Sequence, residues 1–423
     1  MLFRNLYIDG QCADLVVRNG HVVQLCAAGG AVADHEEVYD CGGTLWALPG
    51  LCNMHTHSAM TLLRSLGSGL PLQRWLQEAI FPAEARLTAA DIHAGALEAC
   101  HEMRRGGTTA FNDMYFEVPQ TVDAARQTGM LATVGLSVTD ADFDDADRYR
   151  VLRRFLDECE HHLDTLPYGV RLSIAPHSVY AVSGPHLKYL ADFAGEHGLL
   201  MHMHLSETEK ERCDCQREHG LPPALYLDKL GVLSRMGRRL VVAHALWLDD
   251  DEIQLLGGYH VTAVHNPNSN LKLGSGYNFP YEELRDAGVN VCLGTDGCAS
   301  SDNLDMVEAM KVLSLLQKGW RHDPSVLPAD ELLRVASLNG LRAMGFDDGG
   351  IAEGHFANMM FVDLNHPAFN HIRPATVTAP VAGGVAEWHG DAALQRQLLD
   401  RLIYAAHGDA IAATLVGDNY TKY

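Results

Sequence analysis

The chain has 423 residues, 47% hydrophobic and 20% charged, an ordinary composition for a globular enzyme with a large core. Its 32 basic and 54 acidic residues leave a formal charge of −22, which repels nucleic-acid backbones and anionic membranes and argues against polymeric DNA or RNA as a partner. The start lacks a basic segment followed by an apolar one, no stretch is long and apolar enough to span a bilayer, and the ten cysteines include no CxxC; a cytoplasmic protein with reduced thiols is expected.

Residues 1–47 read as short strands, with 14–20 and 21–25 forming a hairpin around Asn19-Gly20. From Leu48 the rhythm becomes strand then helix. Strands are expected to begin near Leu48, Thr108, Leu131, Arg171, Leu200, Leu240, Val261 and Val289, with helical spacing between most of them, as in 90–105, and again at 330–344. Eight parallel strands alternating with helices fit a closed (β/α)8 TIM-like barrel over 48–349. Past Gly350 the text is β-like again at 358–363. The expectation is that 1–47 and 350–423 together build one small β-sandwich domain, with a late helix at 392–406 and a last strand at 411–416. An acidic run, Asp140-Ala141-Asp142-Phe143-Asp144-Asp145-Ala146-Asp147, follows the third barrel strand at the mouth.

Four strand ends carry the chemistry. His55 and His57 are two apart on the first strand, so both side chains share a face. His204 ends the fifth strand, His244 the sixth, and Asp296 the eighth. Such groups converge only if the sheet closes, because barrel sites form at C-terminal strand ends. Three imidazoles (His55, His57, His204) with the Asp296 carboxylate suit one Zn²⁺ or Fe²⁺, Zn²⁺ foremost, rather than Mg²⁺ or Ca²⁺. No lysine ends the fourth strand, Ile174-Ala175-Pro176-His177-Ser178, to bridge a second ion. His202 shares a face with His204 but lies one layer deeper, so His204 is assigned to the metal and His202 to the structure.

Such a centre leaves a position for water, whose pKa falls toward about 7 on zinc, so that hydroxide can attack an electron-poor carbon. Glu207, three residues past His204, can protonate the neighbouring ring nitrogen. His244 can orient the hydroxide, and Asp296 can accept the water proton.

The motifs then form a recognisable series: Pro49-Gly50 before His55-Thr56-His57, Pro71-Leu72-Gln73-Arg74-Trp75-Leu76, Phe81-Pro82-Ala83-Glu84, and Gly107-Thr108-Thr109 before Asn112-Asp113-Met114-Tyr115. It continues with Ala175-Pro176-His177-Ser178, His204-Leu205-Ser206-Glu207-Thr208, His265-Asn266-Pro267-Asn268-Ser269-Asn270-Leu271-Lys272-Leu273 and Gly294-Thr295-Asp296-Gly297-Cys298-Ala299-Ser300. Over nearly its full length the chain resembles the 5′-methylthioadenosine/S-adenosylhomocysteine deaminase branch of the amidohydrolase superfamily. The resemblance implies hydrolysis of a 5′-modified adenosine, or adenosine itself, to the inosine analogue and ammonia by metal-bound hydroxide at purine C6. It implies His55, His57, His204 and Asp296 as ligands, and Glu207 and His244 as proton-moving groups. Trp75 and Glu84 would line the nucleoside side, with the carboxylate on the ribose hydroxyls. His177 would meet the sugar or 5′ substituent, and Glu207 and Ser300 the purine.

Two departures stand out. The acidic run supplies five aspartates before Arg148 and Arg150, which is expected to disfavour an anionic 5′ tail. The segment 383–385 does not follow the family pattern. Alternatives are a guanine, pterin or triazine aminohydrolase, and more distantly a non-catalytic metal-binding barrel, which would need neither Glu207 nor His244. Nucleoside and water are the expected partners, and a homo-oligomer is the default expectation.

Overall fold

The computed structural model describes residues 1–32, 36–161, 166, 168–372 and 392–423. Five strands come first: β1 (Leu2–Ile8), β2 (Gln11–Arg18), β3 (His21–Ala27), β4 (Val38–Asp40) and β5 (Leu45–Pro49). Asn19 and Gly20, at φ 49° and 76°, make the left-handed turn that a tight hairpin between β2 and β3 requires.

Eight strands follow, each hydrogen-bonded in parallel to the next: β6 (Leu51–Thr56), β7 (Thr108–Tyr115), β8 (Leu131–Val138), β9 (Val170–Pro176), β10 (Leu200–Leu205), β11 (Leu240–His244), β12 (Thr262–His265) and β13 (Asn290–Leu293). The gap between β13 and β6 is stitched just past β13, where Thr295 N–H donates to Asn53 Oδ1 (3.0 Å) and Asp296 N–H to His55 O (2.9 Å). Gly294 permits that approach, since a Cβ there would stand 2.8 Å from the His55 nitrogen. The strands are buried on both faces, one against the barrel interior and one against the surrounding helices, so they read as apolar runs. Helices punctuate the β-strands with their own signals. The helix Ala89–Arg105 opens on a reciprocal Thr88/Asp91 cap.

The chain ends with β14 (Asn358–Asp363), the helix Ala392–Tyr404, β15 (Ile411–Val416) and β16 (Asn419–Lys422). These strands join the first five in the order β16-β15-β14-β5-β1-β2-β3, with β4 also on β1. Both ends of the chain therefore share one sheet, as expected, in a single hydrogen-bonded network. Its core is apolar and aromatic: Phe3, Leu6, Leu15, Phe361 and Leu415 are all fully buried. The segment 383–385 lies outside the described residues. No described helix is long and apolar enough to cross a membrane.

The expected junction differs in one detail. The apolar run entering the barrel is two strands, not one. β5 pairs antiparallel with β14, with Leu48 opposite Met360, and only after Gly50 does β6 enter the barrel. The boundary expected at 47/48 falls inside β5. Gly50 is the joint, packed so closely that a Cβ would lie 2.0 Å from Thr109 Oγ1.

Candidate metal centre and active site

His55, at 0% exposure, and His57 come off the end of β6 on one face, and His204 rises beside them from β10. The ligand atoms of these three lie within 4.8 Å of one another. Asp296, just past β13, brings Oδ1 to 3.4 Å from His55 Nε2 and 3.2 Å from His57 Nε2, and His204 Nε2 stands 3.4 Å from His57 Nε2. The outer ring nitrogens settle which inner nitrogens are free. His57 Nδ1–H donates to Met114 O (2.6 Å) and His204 Nδ1–H to His177 O (2.7 Å), which leaves both Nε2 lone pairs facing the centre. His55 Nε2 is buried without a hydrogen-bond partner. An orphaned nitrogen among imidazoles and a carboxylate is a donor set that fits one divalent metal ion. His244 also reaches this cluster, within 4.8 Å of His55 and Asp296.

Electrostatics agree with that fit. Burial lowers His55 to about 4 and holds His204 well below its usual value, so both keep the neutral form that can ligate. Burial opposes ionisation of Asp296, but the neighbouring His55 and His57 imidazoles win and hold its carboxyl well below the usual range. Burial likewise works against His57, yet the Asp296 contact raises it to about 9. The carboxylate thus favours a positive charge beside His57, one that a bound cation would supply with the ring itself neutral.

Glu207 and His244 face each other beside it, with Glu207 Oε2 3.7 Å from His244 Nε2. Ser275 Oγ–H donates to Glu207 Oε1 (3.2 Å). Burial and the Asp296 charge push Glu207 up to about 8, so its acid form persists at neutral pH. His244 Nδ1 accepts from Asn270 Nδ2 (2.9 Å) and lies 3.3 Å from Asn266 Nδ2, which places the ring proton on Nε2, toward the centre. Asp296 is steadied by Ser269 Oγ–H on Oδ2 (2.6 Å) and its neighbour's Gly297 N–H on Oδ1 (2.8 Å). Ser206, His244 and Asp296 all turn left-handed, at φ 51°, 76° and 66°. Such non-glycine outliers cluster at sites where geometry matters more than local comfort.

Above the cluster opens a cavity of about 910 Å³, large for one nucleoside. Its wall includes Trp75, Glu84, Tyr115, His177 and Glu207. Trp75 Nε1–H donates to Leu66 O (2.8 Å), and Glu84 accepts from the Tyr115 hydroxyl (2.8 Å). Burial raises Glu84 and lowers His177 to about 3. Ser300 is not on that wall. It lies in the short helix Cys298–Ser301, 2% exposed, with its hydroxyl donating to Gly297 O.

The acidic run is also arranged differently from a uniform negative rim. Of its five aspartates only Asp142 lines the cavity, and its Oδ1 is paired with Arg148 Nε at 2.9 Å. Asp140 turns to His186 and the Ser183 N–H instead. Sequence reasoning did not single out Tyr115, Ser269, Asn270 or Ser275 individually. All but Ser275 lie inside the quoted motifs, but nothing in a motif says which side chain each one meets.

The family model described as the amidohydrolase family matches residues 46–392. The chain is 44% identical over 345 residues to a 5′-deoxyadenosine deaminase of Methanothermobacter thermautotrophicus, covering 81% of this chain and 78% of that one. It is 36% identical over 410 residues to a 5-methylthioadenosine/S-adenosylhomocysteine deaminase of Thermococcus kodakarensis, covering 97% and 89%. Among solved structures it is similar to a zinc-bound adenosine deaminase from Xanthomonas campestris, with a TM-score of 0.83 at 29% identity over 99% of this chain and 93% of that one.

Proposed function

The chain belongs to the amidohydrolase family, and from that premise we propose that it deaminates adenosines carrying a neutral 5′ substituent, with 5′-deoxyadenosine and 5′-methylthioadenosine as the leading candidates. The observation that carries this reading is the Glu207 carboxyl set opposite His244 beside the donor cluster, on the wall of a cavity with room for a nucleoside. His55, His57, His204 and Asp296 would hold the ion, which we take to be zinc, as in the Xanthomonas campestris relative. When bound, the ion acidifies water and supplies an oxygen nucleophile near neutral pH.

The protein's own groups do the rest. Glu207 gives its proton to purine N1, drawing electrons from C6 and opening it to attack. Asp296 takes a proton from the attacking water, and His244 Nε2–H holds the oxygen in line. As the C6–N bond breaks, Asp296 passes its proton to the departing amine, which leaves as ammonia. Glu207 recovers the second water proton as the C6 carbonyl forms, so nucleoside plus water gives inosine analogue plus ammonia. Trp75 and Glu84 are proposed to face base and ribose, and His177 the 5′ end.

The Asp142–Arg148 pair supports the neutral 5′ group. A carboxylate tail would have to draw Arg148 away from an existing partner. The test is ammonia release by zinc-loaded protein from 5′-deoxyadenosine, 5′-methylthioadenosine, S-adenosylhomocysteine, adenosine, adenine and guanine. Fastest release from the first two supports the reading. Release from free bases alone would turn it toward the guanine-type aminohydrolases, and preference for S-adenosylhomocysteine would remove the neutral-substituent claim.

A further inference from the structure

The turn that carries Glu207 is held by a buried carboxyl that the reaction does not use. β10 ends at Leu205, and the chain leaves it through Ser206 at φ 51°, a conformation that costs any residue but glycine. Glu207 follows directly. The Ser206 N–H donates to Glu211 Oε1 and the Glu207 N–H to Glu211 Oε2, both at 2.9 Å. Each oxygen takes one amide, and Glu211 is only 4% exposed.

Its place on the helix makes the arrangement unusual. The helix Glu209–His219 is capped by Thr208, whose hydroxyl accepts the Glu211 N–H (3.1 Å). A glutamate at this third position ordinarily reaches back to the cap residue's own N–H. Glu252 does so in this same protein, accepting from Asp249 N–H at the head of the helix Asp250–Gly258. Glu211 makes its two close bonds past the cap residue, to the two amides before it, and the Thr208 N–H contributes least. Helix stability alone asks for the ordinary arrangement, and burying the carboxyl is unfavourable enough to push it up to about 7 despite the amide bonds. What the detour secures is the backbone of Glu207.

We propose that Glu211 is a positioning residue, a two-pronged clamp that holds the left-handed turn at Ser206 and so sets where the Glu207 carboxyl meets the substrate ring. The inference rests on the reading of Glu207 as the proton donor. The clamp acts through the main chain, so its loss should misplace Glu207 without emptying the metal centre or closing the cavity.

The experiment uses zinc-loaded native protein and Glu211→Gln, which keeps the volume but replaces one acceptor by a donor. With 5′-deoxyadenosine, kcat should fall at least tenfold, the Michaelis constant should stay within threefold, and zinc content should be unchanged. Ser206→Gly in the Glu211→Gln background should restore part of kcat, because glycine adopts the left-handed turn without the steric penalty that serine carries there. Hydrogen exchange resolved to 204–208 gives a readout free of activity: the Ser206 and Glu207 amides should be protected in the native protein and exchange at least tenfold faster in Glu211→Gln. A variant with native zinc and kcat within twofold of native overturns the proposal. So does rapid exchange of those two amides in the native protein, a result that needs no variant to fold. If the native protein releases no ammonia from any nucleoside, the functional reading fails, while the exchange data still decide whether the clamp exists.

Discussion

The core of the terminal sheet and the floor of the barrel mouth are both almost dry, and they are opposite in chemistry. In the first, Phe3 packs against Tyr39, Phe361 and Tyr420 with ring centroids 5.0 to 5.2 Å away. In the second, His55, His204, Glu207, His244 and Asp296 are all at or below 6% exposure and present charged or lone-pair atoms to one another. Aromatic burial is stabilising in itself, at roughly 25 cal/mol per Å² of apolar area. Burial of imidazole and carboxyl groups is unfavourable unless each finds a partner. The first region explains why the chain ends stay together, and the second holds groups that only a reaction would retain.

That contrast can be pressed. Glu207→Gln should lower kcat by about 10²- to 10⁴-fold, the range for losing a general acid, with zinc content and unfolding temperature unchanged. Loss of the metal together with activity would merge the two kinds of region. The same group sets a pH limit. Its value is raised to about 8 and its acid form is the working one, so kcat should fall as pH climbs through about 8. Residual activity of Glu207→Gln should lack that limb.

Phe361→Ala should do the reverse, costing about 3–5 kcal/mol of stability as a core cavity while kcat at 25 °C stays within about twofold. Denaturant unfolding and steady-state rates would check it side by side. A smaller effect lies inside the site. His57 and His204 are oriented by main-chain carbonyls, but His55 Nδ1 meets the His202 ring at 2.9 Å, with Asn112 behind it at 3.1 Å. His202→Ala should therefore weaken zinc affinity about 10- to 100-fold in chelator competition. Smallest of all, Asp142→Asn should free Arg148 and improve kcat/KM for S-adenosylhomocysteine relative to 5′-deoxyadenosine by about two- to fivefold, the worth of one partly exposed ion pair.

The parts that local spacing controls were legible before any fold was known. The two-residue spacing of His55 and His57 on a strand, the apolar runs separated by helical segments, and the Asn19-Gly20 turn are all short-range facts of covalent geometry. The 47/48 boundary was not legible, because the break at Gly50 lies within one apolar stretch. Which of its two strands belongs to the terminal sheet depends on β14, some 300 residues later. Ser300 shows the same limit: its motif is present, but that its hydroxyl donates to Gly297 O is not written in it.

By itself, then, the sequence determined the alternation that makes a parallel barrel and the residue types at its strand ends, since periodicity and donor chemistry belong to neighbouring residues. Only the tertiary structure decided that Glu211 reaches past its own helix cap to hold Glu207, that Asn112 stands behind His202, and that Arg148 is already tied to Asp142. Those are contacts near 3 Å, and a hydrogen bond that short is specified by the position of two backbones at once. Closing the barrel supplies that position.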